Sequence, residues 1–299
     1  MSRRRRGRVV NGVLLLDKPG GITSNRALQR ARHLLDAKKA GHTGTLDPMA
    51  SGLLPLTFGE ATKFSQLLLD SDKVYEAEIS LGSETDSGDA DGDVTSTAPV
   101  EVETAHIEPV LAGFRGDIEQ VPPKFSALKR DGRPLYEYAR AGIDIEVQPR
   151  PVTIHALDQL AFDGTKLSVR VHCSKGTYIR SLAVDIGRAL GCGAHLSGLR
   201  RTAIGSFTAD EAVTLQTLES APEPAAWLAA VDAMASHFPL RVLDEMQSRR
   251  LLHGQPVAVE GLAEGTWRLY GPDRDFLGLG LYEEEIGCLV ARRLIATGH

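Results

Sequence analysis

The dozen residues Gly41-His42-Thr43-Gly44-Thr45-Leu46-Asp47-Pro48-Met49-Ala50-Ser51-Gly52 gather three glycines, one imidazole, three hydroxyls and one carboxylate. Glycine allows backbone at positive φ and lets a ligand come close. Asp47 precedes Pro48, which pushes its backbone toward an extended conformation. The stretch is expected to form a stiff, irregular loop that aims one carboxylate in a fixed direction. A glycine-rich turn with a capping Asp is the plain alternative. The run is not a phosphate-binding P-loop, because the Gly-Lys-Ser/Thr ending is missing.

The other residues suited to chemistry lie far along the chain. In Cys173-Ser174-Lys175-Gly176-Thr177-Tyr178-Ile179-Arg180-Ser181-Leu182, Thr177 can cap a helix with Ile179, Leu182, Ala183, Ile186 and Leu190 as its apolar stripe. Tyr178 and Arg180 then fall in its first turn. A cation there opposes the helix dipole, which points to a specific anionic partner for Arg180, with plain surface exposure as the alternative. Lys73–Leu81 alternates as a strand that places Tyr75, Ala77, Ile79 and Leu81 on one face. Tyr75 reads either as a core side chain with its hydroxyl satisfied or as a cleft residue.

The elements that must position these groups follow from periodicity and turn chemistry. Gly12–Asp17 reads as a short apolar strand, and Thr23 or Ser24 caps a helix over Asn25–Leu35. A helix is expected over Glu60–Leu69, others over His106–Phe114 and Pro134–Ala141, and strands over Val152–Phe162 and Leu167–Cys173. Val121–Lys129 is extended by its prolines. Ser83–Pro99 is acidic and rich in Gly, Ser and Thr, and reads as a flexible loop. Its Asp89-Ala90-Asp91-Gly92-Asp93 run is not an EF-hand, because Val94 and Val100 stand where that loop needs Gly and an acid. Ala-rich Pro222–His237 is expected to be a helix bridging to a last unit. That unit holds a helix over Leu243–Leu252 and short strands over Thr266–Tyr270, Leu277–Tyr282 and Gly287–Leu294.

With 299 residues, 42% hydrophobic and 24% charged, the composition is that of an ordinary globular protein, of one main and one smaller domain or of two domains of similar size. No apolar run approaches the roughly 18 residues that span a membrane, and no signal-peptide core follows the basic start, so a cytoplasmic location is expected. Cys173, Cys192 and Cys288 form no CxxC or zinc spacing, which favours reduced thiols and no metal. The net charge of −5 does not advertise a nucleic-acid binder. Lys38 and Lys39, Lys124 to Arg133, and Arg200 with Arg201 nevertheless form local basic clusters that could meet phosphates or face solvent. Residues 1–8 read as a mobile basic tail.

Gly-His-Thr-Gly-Thr-Leu-Asp-Pro-x-Ala-Ser-Gly resembles the signature loop of the TruB family of tRNA pseudouridine synthases. The resemblance continues in Lys18-Pro19-x-Gly-x-Thr23-Ser24, Lys73-Val74-Tyr75, Thr85, Asp86 and Asp89, the Pro122-Pro123 to Lys129 run, Lys175-Gly176-Thr177-Tyr178-x-Arg180-Ser181, and Ala194 to Thr202. It covers roughly residues 10–210. It implies an α+β catalytic domain around a mixed, mostly antiparallel sheet over residues 1–237. A small β-rich PUA-like RNA-binding domain would occupy residues 238–299. It implies isomerisation of uridine to pseudouridine at tRNA position 55, in the T loop, with no cofactor, no metal and no obligatory protein partner, by a monomer. Asp47 would be the nucleophile and Arg180 its ion-pair partner, expected to lower the pKa of Asp47. Tyr75 would stack on the target base, Tyr178 would pack beside it as a catalytic residue that hydrogen-bonds to it or takes the C5 proton, and Leu199 would contact it. His42 would hold the RNA loop open in place of the flipped base. Lys18, Lys124, Lys129, Arg200 and Arg201 are candidate RNA contacts. A guide-RNA-dependent relative, a pure RNA-binding module and a glycosidase are the competing readings, the last weakened by the lack of a second motif carboxylate.

Overall fold

In a computed structural model the described residues are 7–126 and 128–296, so most of the expected basic tail lies outside them. Arg8, its last residue, is instead tied down: its N–H donates to the Asp36 carbonyl and its carbonyl accepts from Lys38 N–H.

The chain begins with strand β1 (Gly12–Lys18), helix α1 (Ser24–Leu34), the short β2 (Ala40–His42) and β3 (Ser51–Phe58). A 3-10 segment (Gly59–Phe64) leads into α2 (Ser65–Asp70) and β4 (Lys73–Leu81). The single helix expected over Glu60–Leu69 is thus split, with only its second half α-helical. The acidic segment is not a loose loop but a hairpin, β5 (Ser83–Thr85) and β6 (Val94–Thr97). Next come α3 (Thr104–Ala112), β7 (Gly116–Gln120), the small hairpin β8 (Lys129–Arg130) and β9 (Arg133–Pro134), and α4 (Leu135–Arg140). The long strands β10 (Arg150–Phe162) and β11 (Lys166–Cys173) precede α5 (Ile179–Ala189) and β12 (Ala194–Ile204). Short pieces follow: β13 (Phe207–Thr208), β14 (Val213–Thr214), α6 (Leu215–Ser220) and β15 (Leu228–Ala229). The last unit is β16 (Leu240–Val242), α7 (Glu245–Leu252), β17 (Val257–Ala258), β18 (Gly265–Tyr270), β19 (Phe276–Glu283) and β20 (Cys288–Leu294).

Among the described residues the main sheet has 11 strands, with the path β14-β1-β3-β12-β4-β11-β10-β7. β1 with β14 and β3 with β12 are parallel, and the other pairs are antiparallel. β4 sits between β12 and β11, and its alternation is the expected one: Tyr75, Ala77, Ile79 and Leu81 are buried. Helices α1, α3, α5 and α6 cover that face through Ala27, Ala31, Ile107, Leu182, Ile186 and Leu218. The period of two in β1 serves two cores, with Leu14 and Leu16 in this layer and Val13 and Leu15 in another. The second layer is filled by Phe64, Leu68, Phe207 and Met234 and by Phe276, Leu279 and Ile295 of the last unit. That unit is a five-stranded sheet, β16-β18-β19-β20-β17, with its own apolar core around Leu269 and Leu289.

Residues 222–237 do not form the expected helix. They run as a 3-10 turn, the strand β15 against β1, and a second 3-10 turn. Ala-rich composition favours helix, but here tertiary demand wins: the segment adds an edge to β1 and buries Met234 and Ala235 between the two sheets.

Candidate active site

The signature loop joins β2 to β3 and is fixed from three sides. Ser24 does not cap α1, since Thr23 does that by accepting from Arg26 N–H. The Ser24 hydroxyl instead accepts from Leu46 N–H at 2.8 Å and donates to the Leu46 carbonyl at 2.9 Å. Thr43 is buried and donates to the Pro55 carbonyl through both its N–H and its hydroxyl. The Pro48 carbonyl accepts from Gly21 N–H at 2.8 Å and from Lys18 Nζ at 3.4 Å. Asp47 itself begins a turn, with Ala50 N–H donating to its carbonyl. The residues on either side of the carboxylate are thereby held by atoms distant in sequence.

Glycine is needed at the loop's end. Gly52 has φ +98°, and a Cβ there would stand 2.3 Å from the Arg201 carbonyl oxygen. β3 and β12 approach in parallel at this point, with Gly52 opposite Arg201, so only a residue without a side chain lets the strands close.

The Asp47 carboxylate meets Arg180, with Nε to Oδ2 at 3.0 Å. Arg180 is the second residue of α5, and its side chain is only 6% exposed. Its Nη1 also lies 3.3 Å from Asp89 Oδ2 and donates to the Ser87 carbonyl, and Nη2 donates to the Phe125 carbonyl at 2.8 Å. The anionic partner expected for a first-turn cation is therefore two carboxylates, one from the signature loop and one from the acidic hairpin. Asp89 is a site residue that sequence reasoning missed. Its signal is the spacing with Thr85 and Asp86, and the acidic surroundings hide it.

The expected downward pKa shift at Asp47 does not occur. Burial pushes its carboxyl above the ordinary range; Arg180 and Lys18 act against this, and Asp89 and Asp91 reinforce it. The side chain is 34% exposed, yet that opening faces a walled cleft, so desolvation is the largest effect.

Asp47 lines a cleft of about 760 Å³ with Tyr75, Tyr178, Leu199 and Lys73 on its walls. Phe125, Ser126, Tyr136 and Arg140 close it from the segment between β7 and β10. Tyr75 projects from the first half of β4 and is buried; burial raises its phenol pKa, with the Arg201 guanidinium opposing, so it stays neutral. Tyr178 occupies the position just before α5, where Thr177 was expected to cap; the Thr177 hydroxyl donates instead to the Ser174 carbonyl. The buried Gln120 holds the Tyr178 backbone at both ends, accepting from its N–H at 2.9 Å and donating to its carbonyl at 3.1 Å. The Lys73 ammonium donates to the carbonyls of Leu69 and Ser71, and burial lowers its pKa to about 8.

The remaining candidates divide. His42 lies on β2, outside the residues that line this cleft. Burial and the nearby Arg201 lower its pKa, which keeps the imidazole neutral. Two of the basic residues considered as RNA contacts are not on the surface. Lys18 is 0% exposed, and its ammonium donates to the carbonyls of Pro19, Ile22 and Pro48. Arg201 is 1% exposed and donates to the carbonyls of Leu53 and Gly44. Both are struts under the signature loop, because buried carbonyls left free by an irregular loop need donors. Arg200 is partly exposed and paired in two contacts with Asp17; Lys124 is exposed and paired with Asp144; Lys129 is exposed on β8.

A buried guanidinium shared by two carboxylates, facing an open cleft with aromatic walls, can bind a planar ring and present a nucleophile to it. Known proteins resemble this chain in sequence and in fold. The family model described as "TruB family pseudouridylate synthase (N terminal domain)" matches residues 32–179. "tRNA pseudouridylate synthase B C-terminal domain" matches 180–233, and "Pseudouridine synthase II TruB, C-terminal" matches 239–295. A tRNA pseudouridine synthase B of Aromatoleum aromaticum is 59% identical, covering 98% of this chain and 96% of its own. One of Azoarcus is 59% identical, covering 99% of both. Among solved structures, an H/ACA ribonucleoprotein bound to a substrate RNA containing 2′-deoxyuridine has a chain 25% identical with TM-score 0.74, covering 99% of this chain and 92% of that one. A Cbf5–Nop10–Gar1 complex gives 28% identity and TM-score 0.73, covering 96% and 85%. Three consecutive family models and relatives alike over their whole length agree with the loop, the cleft and the sheet that frames them: the chain belongs to the TruB family of pseudouridine synthases.

Proposed function

We propose that this protein isomerises uridine to pseudouridine at position 55 in the T loop of tRNA. The observation that carries the reading is the Asp47 carboxylate, pinned by a buried Arg180 in a cleft walled by Tyr75, Tyr178 and Leu199. The reaction breaks the N1–C1′ bond, turns the base over in place and joins C5 to C1′. C5 loses its proton and N1 gains one, so nothing is oxidised and no group is added. The protein must hold the ring through this exchange and supply a carboxylate to the nucleoside. Asp47 is the nucleophile, and Arg180 favours its charged form. A target base inside a folded RNA loop has to be flipped out, at a cost of a few kcal/mol. Stacking on Tyr75 returns about 1–3 kcal/mol. Leu199 covers an apolar side of the ring, Tyr178 meets its polar edge, and His42 fills the space the base leaves.

The partner is the T-arm of tRNA, bound by the catalytic domain (1–237) and by a PUA-like domain (238–299), by a monomer in the cytoplasm without guide RNA or accessory protein. Identity of 59% to proteins described as tRNA pseudouridine synthase B, against 25–28% to chains from H/ACA and Cbf5 complexes, supports the guide-free reading. No described helix is long and apolar enough to cross a membrane. The test is tritium release from an unmodified tRNA transcript labelled at uridine C5, with no other macromolecule added. One equivalent is expected from wild type, and none from Asp47→Asn, which still binds the transcript. Normal release by Asp47→Asn, or release that survives replacement of the T-loop uridine, overturns the assignment.

A further inference from the structure

The face of the main sheet opposite helices α1, α3, α5 and α6 carries a cluster that the reaction does not use. His155 on β10, His172 on β11 and Asp72, in the turn between α2 and β4, offer ligand atoms that all lie within 4.8 Å of one another. His155 Nε2 is 3.2 Å from Asp72 Oδ2, and His172 Nε2 is 4.0 Å from the same oxygen. The two imidazoles lie side by side, with centroids 4.8 Å apart. We propose that these three side chains form a binding site for a divalent first-row transition metal ion such as zinc.

Three features support the assignment. First, a His–Asp ion pair needs only one imidazole, whereas here two Nε2 atoms converge on one carboxylate oxygen. Second, the convergence depends on a β-bulge. Ile154 pairs with Cys173 and Ala156 with His172, which leaves His155 as the extra residue. Bulges re-aim side chains, and this one puts His155 beside His172. Third, the backbone is firm: Asp72 accepts from Gly205 N–H through its carbonyl, and His172 lies in the β11–β4 ladder opposite Val74.

The donor set defines the ion. Two imidazoles and one carboxylate suit zinc, nickel, copper or cobalt rather than magnesium or calcium, which prefer oxygen. Zinc bonds of about 2.0–2.2 Å place tetrahedral donors roughly 3.3 Å apart. The His155–Asp72 distance already meets that. The other separations, none above 4.8 Å, need to shorten by no more than about 1.5 Å, within reach of side-chain rotation at the partly exposed imidazoles. The remaining position is open to water or another ligand. A bound ion would clamp Asp72, in the turn that leads into β4 and three residues before Tyr75, to strands β10 and β11.

The test is zinc uptake by the untagged full-length chain in competition with a chromophoric chelator. Wild type is expected to bind one zinc per chain at this site. His155→Ala and His172→Ala are each expected to weaken it by at least about tenfold, the lower bound typical even of groups that only support a ligand. His195→Ala, whose imidazole instead meets Ser83, should leave zinc affinity unchanged. Zinc should also raise the melting temperature of wild type and not of the two histidine variants, since a ligand that binds only the folded state stabilises it. No zinc uptake by wild type, or equal uptake and equal thermal shift in both histidine variants, overturns the proposal.

Discussion

Replacing Arg180 by Met removes the cation and keeps most of the side-chain volume. In the wild type that guanidinium meets Asp47 and Asp89 and donates to the carbonyls of Ser87 and Phe125. Breaking a buried ion pair from one side costs roughly 3–5 kcal/mol, because the other charge is left without a partner. The Asp89 side chain is 7% exposed and bears that cost in full. The Asp47 side chain opens to the cleft, so its share is discounted for solvent screening. The expected loss is therefore about 3 kcal/mol near neutral pH, from the lower end of that range. The sign of the pH dependence follows from linkage. Burial already holds the Asp47 carboxyl above its ordinary range, and removing the cation raises it further, so the folded variant binds more protons than the unfolded chain. The deficit is then largest above that raised value and shrinks as pH falls through it. Urea unfolding of both proteins, from about pH 8 down to about pH 5, reads this directly. A deficit below about 1 kcal/mol, the scale of an exposed pair, or one that does not change with pH, would contradict a buried guanidinium shared by the two carboxylates. Arg180→Lys should recover part of the stability, but a point charge with three donors cannot span the same two carboxylates and two carbonyls.

Tyr75→Leu should keep the strand and lose the stack, lowering the single-turnover rate by roughly 5–150-fold for the 1–3 kcal/mol a base stack supplies; an unchanged rate would count against the stacking role. Lys18→Met should leave the carbonyls of Pro19, Ile22 and Pro48 without their donor and cost about 2–4 kcal/mol, read by urea unfolding. Burial lowers the Lys18 pKa from 10.5 to about 8, so this lysine adds a rise in wild-type stability between those pH values that the Met variant should lack. Gly52→Ala should destabilise by about 2–4 kcal/mol, through its left-handed backbone and the clash with the Arg201 carbonyl; thermal melting within a degree or so of wild type would contradict the close approach of β3 and β12.

Patterns confined to one element were readable from the chain. The alternation in Lys73–Leu81 predicted which face of β4 is buried, and the stripe Ile179, Leu182, Ala183 and Ile186 predicted the buried face of α5. The misplaced cation Arg180 correctly implied an anionic partner. Readings that depended on distant partners failed. Lys18 and Arg201 looked like surface cations, because nothing local reveals that carbonyls 30 and 148 residues away need their protons. Asp89 sits among other acids and reads as part of a solvated loop, although its carboxylate turns inward. The segment 222–237 shows the same limit, since its alanines favour helix locally while β1 and the second core impose another path.

The layer behind β1 has a consequence for how the molecule unfolds. Val13, Leu15 and Leu53, from the strands beneath the signature loop, share one apolar core with Phe276, Leu279 and Ile295 from the carboxy-terminal unit. Lys63 Nζ also donates to the Leu294 carbonyl, and Phe64 packs on Phe276. The two sheets are therefore thermodynamically coupled: neither can melt without wetting the back of the other. A single cooperative transition follows, and a chain cut after residue 237 would expose the apolar reverse of the strands that hold Asp47.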